Sequence, residues 1–384
     1  MADYLLLVFP IIIMTILFAG SKVAGKGEFN EEAWTMSQSK AMQVFAALMI
    51  ILHHLAQTIT DCTRVSKGPI TIWNSFGILF TSIFFFFSGF GLYKSYKNKE
   101  NYLDSFLRKR LSRILIPFAI TNILYLVTVS YSRVTGVVDV ITSLFGFTLI
   151  NNNAWFLVVL FFLYVAFYIC FKHSGSERGA ILKLTVFAVL MVIGALLLGH
   201  DNSQVRGHWF MGEWWYNTTL IFILGIVVAK HENGIKQFLM KHYRIILPVL
   251  IILLVGWYLL EEFMLGQFGY YQEWDGHPGY PEKFISLPFQ VILCSIFVFL
   301  LLHVNLKLKY GNRVLTFLGG ISFEIYLIHE MFRVLLPGTP DSSMPDLLYM
   351  LLVYVLSIVA AWILAIVDNY LVKRVAGGEK HSEN

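Results

Sequence analysis

Charge is scarce in this sequence. Asp, Glu, Lys and Arg supply 14% of its 384 residues, against 57% hydrophobic residues and a mean hydropathy of +0.67. A soluble domain carries roughly a quarter charged residues, so a soluble globular fold is excluded. The apolar residues fall in long runs, as in a multi-span membrane protein. Cysteine is scarcer still: Cys62, Cys170 and Cys294 are odd in number and scattered, which excludes a disulfide framework and a cysteine metal pair. Inverted repeats, low-complexity tracts and a separate soluble domain are also lacking. With so little charge overall, the net +5 belongs to loops that set orientation and is no footprint for nucleic acid.

The apolar run 4–19 is preceded only by Met1, Ala2 and Asp3, whereas Lys22 and Lys26 follow it. A secretory signal wants positive charge before the run. We read an uncleaved first span with its N-terminus outside, a cleaved signal being the alternative. Further spans are expected near 41–59, 72–92, 114–132, 154–171, 181–199, 214–229, 245–263, 284–303, 315–336 and 347–370. The fold class is therefore all-α, a polytopic transmembrane bundle of about 11 spans, each near the ~20 residues a bilayer core demands. In domain terms this gives an N-terminal span and cytosolic linker (1–39), a main transmembrane domain (40–374) and a short cytosolic tail (375–384). Of the 29 Lys and Arg residues, 23 fall on connections assigned inside and 6 elsewhere, and seven of them crowd the connection 93–113. That asymmetry places the N-terminus outside and the C-terminus in the cytoplasm, and the expected location is the plasma membrane. Residues 137–150 are too short to span and read as a re-entrant or interfacial piece.

Against this apolar background the ionisable residues inside spans stand out. The stretch KAMQVFAALMIILHHLAQTIT (40–60) carries His53 and His54 side by side. Adjacent helical residues point to different faces, so at least one imidazole meets a polar interior. His54 lies ~21 Å along its helix from Lys40, and His329 lies ~24 Å from Arg313, at 1.5 Å per residue. The two histidines are thus expected at similar depth. Tyr326, His329, Glu330 and Arg333 share one side of their helix, with Ser322 and Glu324 a turn or more deeper. Lipid does not tolerate such a concentration, so it faces a wet cavity. Ser88-Gly89, although it offers a hydroxyl, reads as a close helix contact. The run Phe84–Phe87 reads as core or lipid-facing.

These residues resemble the acyltransferase 3 family of membrane-bound O-acyltransferases that modify cell-surface glycans. AALMIILHHL (46–55) resembles the family's first conserved helix, whose histidine matches His54. FFFFSGFGL (84–92) is similar to its FF-x-x-SG-F signature, and FLRKRLSRILIP (106–117) to its basic R-R-x-x-R-I-x-P element. Asn153-Ala154-Trp155-Phe156-Leu157 with Tyr164 resembles its W-F-L helix, and ISFEIYLIHEMF (321–332) its I-S-Y-x-I-Y-L-x-H element. The five elements keep the family's order over about 41–370. One position departs: the family commonly has a basic residue eleven places before the helix histidine, and here it is Gln43, with Lys40 one turn earlier. The first span would be an addition to the family's ten-helix core.

The resemblance implies transfer of an acyl group, most often acetyl, from cytosolic acyl-coenzyme A to a sugar hydroxyl on the outer face. A hydroxyl nucleophile needs a base, and imidazole is the side chain suited to it near neutral pH. His54 is the candidate base. His329, Glu324 and Tyr326 would orient it or bind the acceptor, and Trp155 and Asn153 would wall the acceptor site. Arg108, Arg110 and Arg113 would meet the coenzyme's phosphates, with Lys40 in reserve for the displaced basic residue. The co-substrate is acyl-CoA, with no metal. The partners are a glycan or lipid-linked sugar and the bilayer, with no nucleic acid. Plainer readings stand beside these: a packed core histidine, above all for His53, a polar lock between helices for the His329 cluster, and positive-inside anchoring for the basic element. The rival class is a transporter or flippase of a glycan, which wet cavities and intramembrane charges would serve equally.

Overall fold

The computed structural model describes residues 2–129, 136–198, 216–268 and 280–376. Arg133, Arg206 and Lys380, three cations of the charge count, lie outside the described residues, as do the ends of several expected spans. Fifteen helices run in the order α1 (Ala2–Leu5), α2 (Val8–Phe18), α3 (Met36–Ile59), α4 (Gly77–Asn98), α5 (Phe106–Thr128), α6 (Val137–Leu144), α7 (Trp155–His173), α8 (Glu177–Leu198), α9 (Tyr216–Lys230), α10 (Glu232–Lys241), α11 (Tyr243–Phe268), α12 (Tyr280–Asn305), α13 (Arg313–Gly319), α14 (Ser322–Leu335) and α15 (Asp346–Ala376). Two short strands, β1 (Lys22–Val23) and β2 (Leu308–Lys309), pair antiparallel. The protein is an all-α polytopic bundle.

Among the described residues eight helices are long and apolar enough to cross a membrane, or up to ten if each of two bent pairs counts as one span. The bent pairs are Asn217–Lys230 with Glu232–Lys241, at 83°, and Arg313–Gly319 with Ser322–Leu335, at 76°. The first expected span, 4–19, holds α2, whose 11 residues rise ~16 Å, about half a ~30 Å hydrocarbon core. The helix expected over 315–336 is therefore broken, at Gly320 and Ile321, so a single straight rise does not apply to it. The Gly319-Gly320 pair stands at the break and is its one local mark in the sequence.

The basic element also differs from a loop. Lys94 and Lys97 sit on α4 and Arg108, Lys109, Arg110 and Arg113 on α5, so the true connection is only 99–105. Long cationic side chains hold their stems along a helix while their charge reaches water, which lets both helices run on past their apolar parts. Residues 137–150 hold only the eight-residue α6 and a turn returning toward α7, too short to span.

Within lipid, helices are held by close packing and interhelical hydrogen bonds rather than by expulsion from water. The tightest contact is between α4 and α9. A Cβ on Gly89 would lie 2.0 Å from the Phe222 carbonyl oxygen, and one on Gly225 2.1 Å from that of Phe86. Gly89 of FFFFSGFGL thus serves backbone approach, and Phe84, Phe85, Phe86 and Phe87 are all buried in the core around it. Helix α3 is the hub, touching α2, α4, α13, α14 and α15. By contrast, Glu261 and Leu265 are the only buried positions of α11, which lies at the periphery.

A polar knot ties the segment before α3 to the far end of α12. The Asn305 side chain accepts from the Trp34 backbone N–H at 2.9 Å and donates to Gln38 Oε1 at 2.8 Å. Gln38 also takes the Tyr310 N–H at 2.9 Å and donates to its carbonyl at 2.9 Å. The Trp34 indole donates to the Leu302 carbonyl at 2.8 Å. Each such bond contributes about 0.5–1.5 kcal/mol, and leaving one of these buried groups unpaired costs more. The β1–β2 pairing extends the same tie.

Candidate functional site

His53 and His54 lie five turns into α3, half-buried, and their side chains leave the helix on different faces. His53 Nδ1 is 2.8 Å from the Trp73 carbonyl oxygen in the 3-10 turn Gly68–Ser75, and so donates to it. Its Nε2 abuts Gly77, where a Cβ would come within 2.5 Å. His53 is thereby committed to holding the turn between α3 and α4.

His54 faces the other way, toward α14. Its Nδ1 is 2.8 Å from His329 Nε2, and the two rings are nearly coplanar in orientation, 3° apart with centroids at 5.1 Å. His329, wholly buried, places its own Nδ1 2.7 Å from the Tyr326 carbonyl oxygen. A carbonyl only accepts, so His329 Nδ1 carries a hydrogen. In the neutral ring Nε2 is then an acceptor, and His54 Nδ1–H must donate to it. The remaining lone pair of the system is on His54 Nε2. The tautomer of one histidine is set by the other, a relation carried by hydrogen-bond logic alone.

The surrounding groups fix this pair from three sides. Arg333 grips Glu330 with two bonds, Nε to Oε2 at 2.6 Å and Nη2 to Oε1, and reaches Thr58 Oγ1 at 2.6 Å. Thr58 in turn donates to the His54 carbonyl at 2.9 Å. Tyr349 of α15 donates to the Arg333 carbonyl at 3.0 Å. From the third side, the Asn153 amide donates to Glu330 Oε2 at 2.9 Å while the Asn153 carbonyl accepts from Tyr326 Oη at 2.6 Å. Asn151 steadies that turn by accepting from the Asn153 N–H at 3.0 Å and donating to the Leu327 carbonyl at 3.0 Å. The turn Asn152–Ala154 exists because an asparagine side chain can stand in for a backbone acceptor ahead of α7.

Four of the residues expected at the site therefore meet: His54, His329, Tyr326 and Asn153. Others do not. Trp155 is buried against Phe85, with ring centroids at 6.0 Å, and Phe156, so it packs in the core. Glu324 is buried away from the pair, in electrostatic range of Asp368 on α15, whose two carboxylate oxygens have no hydrogen-bond partner. Lys40 is exposed at the opposite end of α3, where its side chain passes beside Gly319.

At that same end α4, α5 and their connection enclose a cleft of about 180 Å³ lined by Lys99, Asn101, Tyr102, Lys109, Arg110 and Arg113, among others. Arg110 is set by its bonds to Tyr102 Oη at 2.8 Å and Ser95 Oγ at 3.1 Å. Arg113 follows one turn later, and Lys99 and Lys109 add two cations that motif reading had not singled out. Arg108, expected in this group, is exposed and does not line the cleft. Three residues apart on a helix, Arg110 and Arg113 share a face, whereas Arg108 at two before Arg110 cannot.

The arrangement has two poles: a polarised imidazole pair at one end of the bundle and a small cationic cleft at the other. A family model described as an acyltransferase domain matches residues 38–366, nearly all of the span that holds both poles. No curated protein and no solved structure matches the chain.

Proposed function

The chain belongs to the acyltransferase 3 family, a membrane acyltransferase by that membership, and on this premise we propose which groups it joins and how. The donor is acyl-CoA, acetyl-CoA in the simplest case, entering from the cytosol at the cationic cleft, where Arg110, Arg113, Lys99 and Lys109 meet its phosphates. The acceptor is a hydroxyl of an extracytoplasmic or lipid-linked glycan, presented at the histidine pole. The protein sits in the plasma membrane with its C-terminus in the cytoplasm, in line with the charge asymmetry of its connections.

His54 Nε2 is the base. It takes the acceptor hydroxyl's proton as the oxygen attacks the thioester carbonyl carbon. The carbon–sulfur bond then breaks, and the imidazolium returns the proton to the leaving thiolate, releasing the free thiol. His329 holds His54 in the Nδ1–H tautomer that leaves Nε2 unprotonated, and the Tyr326 carbonyl holds His329. The Glu330 carboxylate, gripped by Arg333 and Asn153, lies within 4.8 Å of the ring nitrogens and partly balances the imidazolium charge. The single observation that supports this reading most is the chain from His54 through His329 to the Tyr326 carbonyl. Charge stabilisation of this kind is what a general base needs to work near neutral pH.

The test is acyl transfer by the purified full-length protein in lipid nanodiscs, followed as release of coenzyme A from acetyl-CoA. His54→Gln is expected to abolish release, while His53→Gln, at a residue that only holds a turn, retains most of it. The opposite pattern would assign the chemistry to His53 and end this reading.

A further inference from the structure

A ring nitrogen each of His54 and His329 and a Glu330 carboxylate oxygen lie within 4.8 Å of one another, and His54 Nδ1 and His329 Nε2 are 2.8 Å apart. We propose that these three groups form a site for a single zinc-class transition-metal ion, and that its occupation switches the base off. The inhibitory half of this proposal rests on the reading of His54 as base; the binding half does not.

The donor set is two imidazole nitrogens and one carboxylate, the set such ions take in sites with an open fourth position. Ligands at 2.0–2.1 Å around a tetrahedral ion stand ~3.3 Å apart, so the two histidine nitrogens, now at 2.8 Å, need to part by only ~0.5 Å. The outer partners are already in place. A metal-bound histidine characteristically donates its other N–H to a carbonyl, and His329 Nδ1 does so to Tyr326 at 2.7 Å. The carboxylate is oriented by Asn153 and Arg333: Oε2 accepts from both, while Oε1 accepts only from Arg333 Nη2 and keeps a lone pair for an ion. His54 is half-buried rather than sealed, which gives an ion an approach. Arg333 opposes a cation electrostatically, so the site is weaker than a structural zinc centre.

Binding has a defined consequence for the proton. The ion takes the Nδ1 lone pair, so the hydrogen on His54 Nδ1 must leave that atom, and Nε2 gains one; the ring changes tautomer with no net proton released. Nε2 then has no lone pair for an acceptor hydroxyl. The carbonyl-bonded ring of His329 is unchanged.

Metal-free full-length protein in nanodiscs would be titrated with Zn2+ alone, and with Co2+ for its visible absorption. The expected result is one ion per chain by elemental analysis and the absorption of a four-coordinate cobalt site. Turnover of acetyl-CoA should fall roughly a hundredfold, the scale of general-base catalysis, and recover with chelator. His329→Leu and, as a gentler change, Glu330→Gln should lose the ion, while the exposed His173→Gln keeps it. Retention of the ion in His329→Leu, or no bound ion in the wild type, overturns the site. One bound ion with turnover unchanged overturns the switch and the base assignment with it, while leaving the site standing.

Discussion

Replacing His329 with leucine isolates what the second histidine does. The substitution puts an apolar side chain of similar bulk at a wholly buried position, and removes the acceptor that, among the described residues, His54 Nδ1–H has at hydrogen-bond distance. The Asn153 amide, 3.4 Å away, is itself a donor and cannot substitute. Keeping His54 in its Nδ1–H form would then leave a buried N–H unpaired, at about 1–3 kcal/mol. The ring avoids that cost by moving its hydrogen to Nε2, the atom the reaction needs free. The same 1–3 kcal/mol therefore appears as a loss of roughly 5- to 150-fold in kcat, with the KM for acetyl-CoA unchanged because the donor cleft is remote. His329→Gln supplies a carbonyl oxygen to the same N–H and should recover much of the loss. Steady-state release of coenzyme A, with thermal melting as a folding control, reads the result. A folded His329→Leu protein with kcat within twofold of wild type, or a glutamine variant no better than leucine, would refute the tautomer argument.

Other consequences are as direct. Arg333→Met strands the Glu330 carboxylate inside the bundle and should lower stability by about 3–5 kcal/mol, whereas Arg333→Met with Glu330→Met should cost much less; melting of the single and double variants compares them. Gly89→Ala places a methyl 2.0 Å from the Phe222 carbonyl and forces α4 from α9, at about 1–3 kcal/mol, visible as a lowered Tm and aggregation on size exclusion. Arg110→Ala should raise the KM for acetyl-CoA by about tenfold, the effect of one charge-assisted phosphate bond, and leave the KM for acetyl-pantetheine, which lacks those phosphates, in place. Arg108→Ala, off the cleft, should change neither.

How far the site could be read from the sequence depended on whether its cause was local. Long apolar runs and lopsided loop charge announce spans because the bilayer acts on each stretch separately. The glycine in FFFFSGFGL reads as a helix contact for the same reason: a missing side chain in a span permits approach, whatever the partner. Family likeness singled out His54 over His53; in the structure His53 is bonded to the Trp73 carbonyl, while His54 faces His329. What stayed hidden was set by partners far along the chain. Asn153 meets Glu330 across 177 residues, and nothing near Asn153 announces it. Trp155, expected at the acceptor wall, begins α7 and packs in the core against Phe85, a placement set by helical phase and by a partner 70 residues away. The placement of Arg108 off the cleft follows from helical phase, which became legible only once the basic stretch was known to be helix.

The pairing of His54 with His329 also constrains how the protein comes into being. The two histidines are 275 residues apart, as Trp34 and Asn305 are 271 apart in the polar knot. At ~5–20 residues per second, a ribosome that has just made His54 needs roughly 14–55 s more to make its partner. During that interval α3 must sit in the membrane with its imidazole and Gln38 unmet. A chain stopped before residue 329 thus already carries every residue that lines the cationic cleft, between 99 and 113, but leaves the His54 ring without the partner that orders its hydrogen.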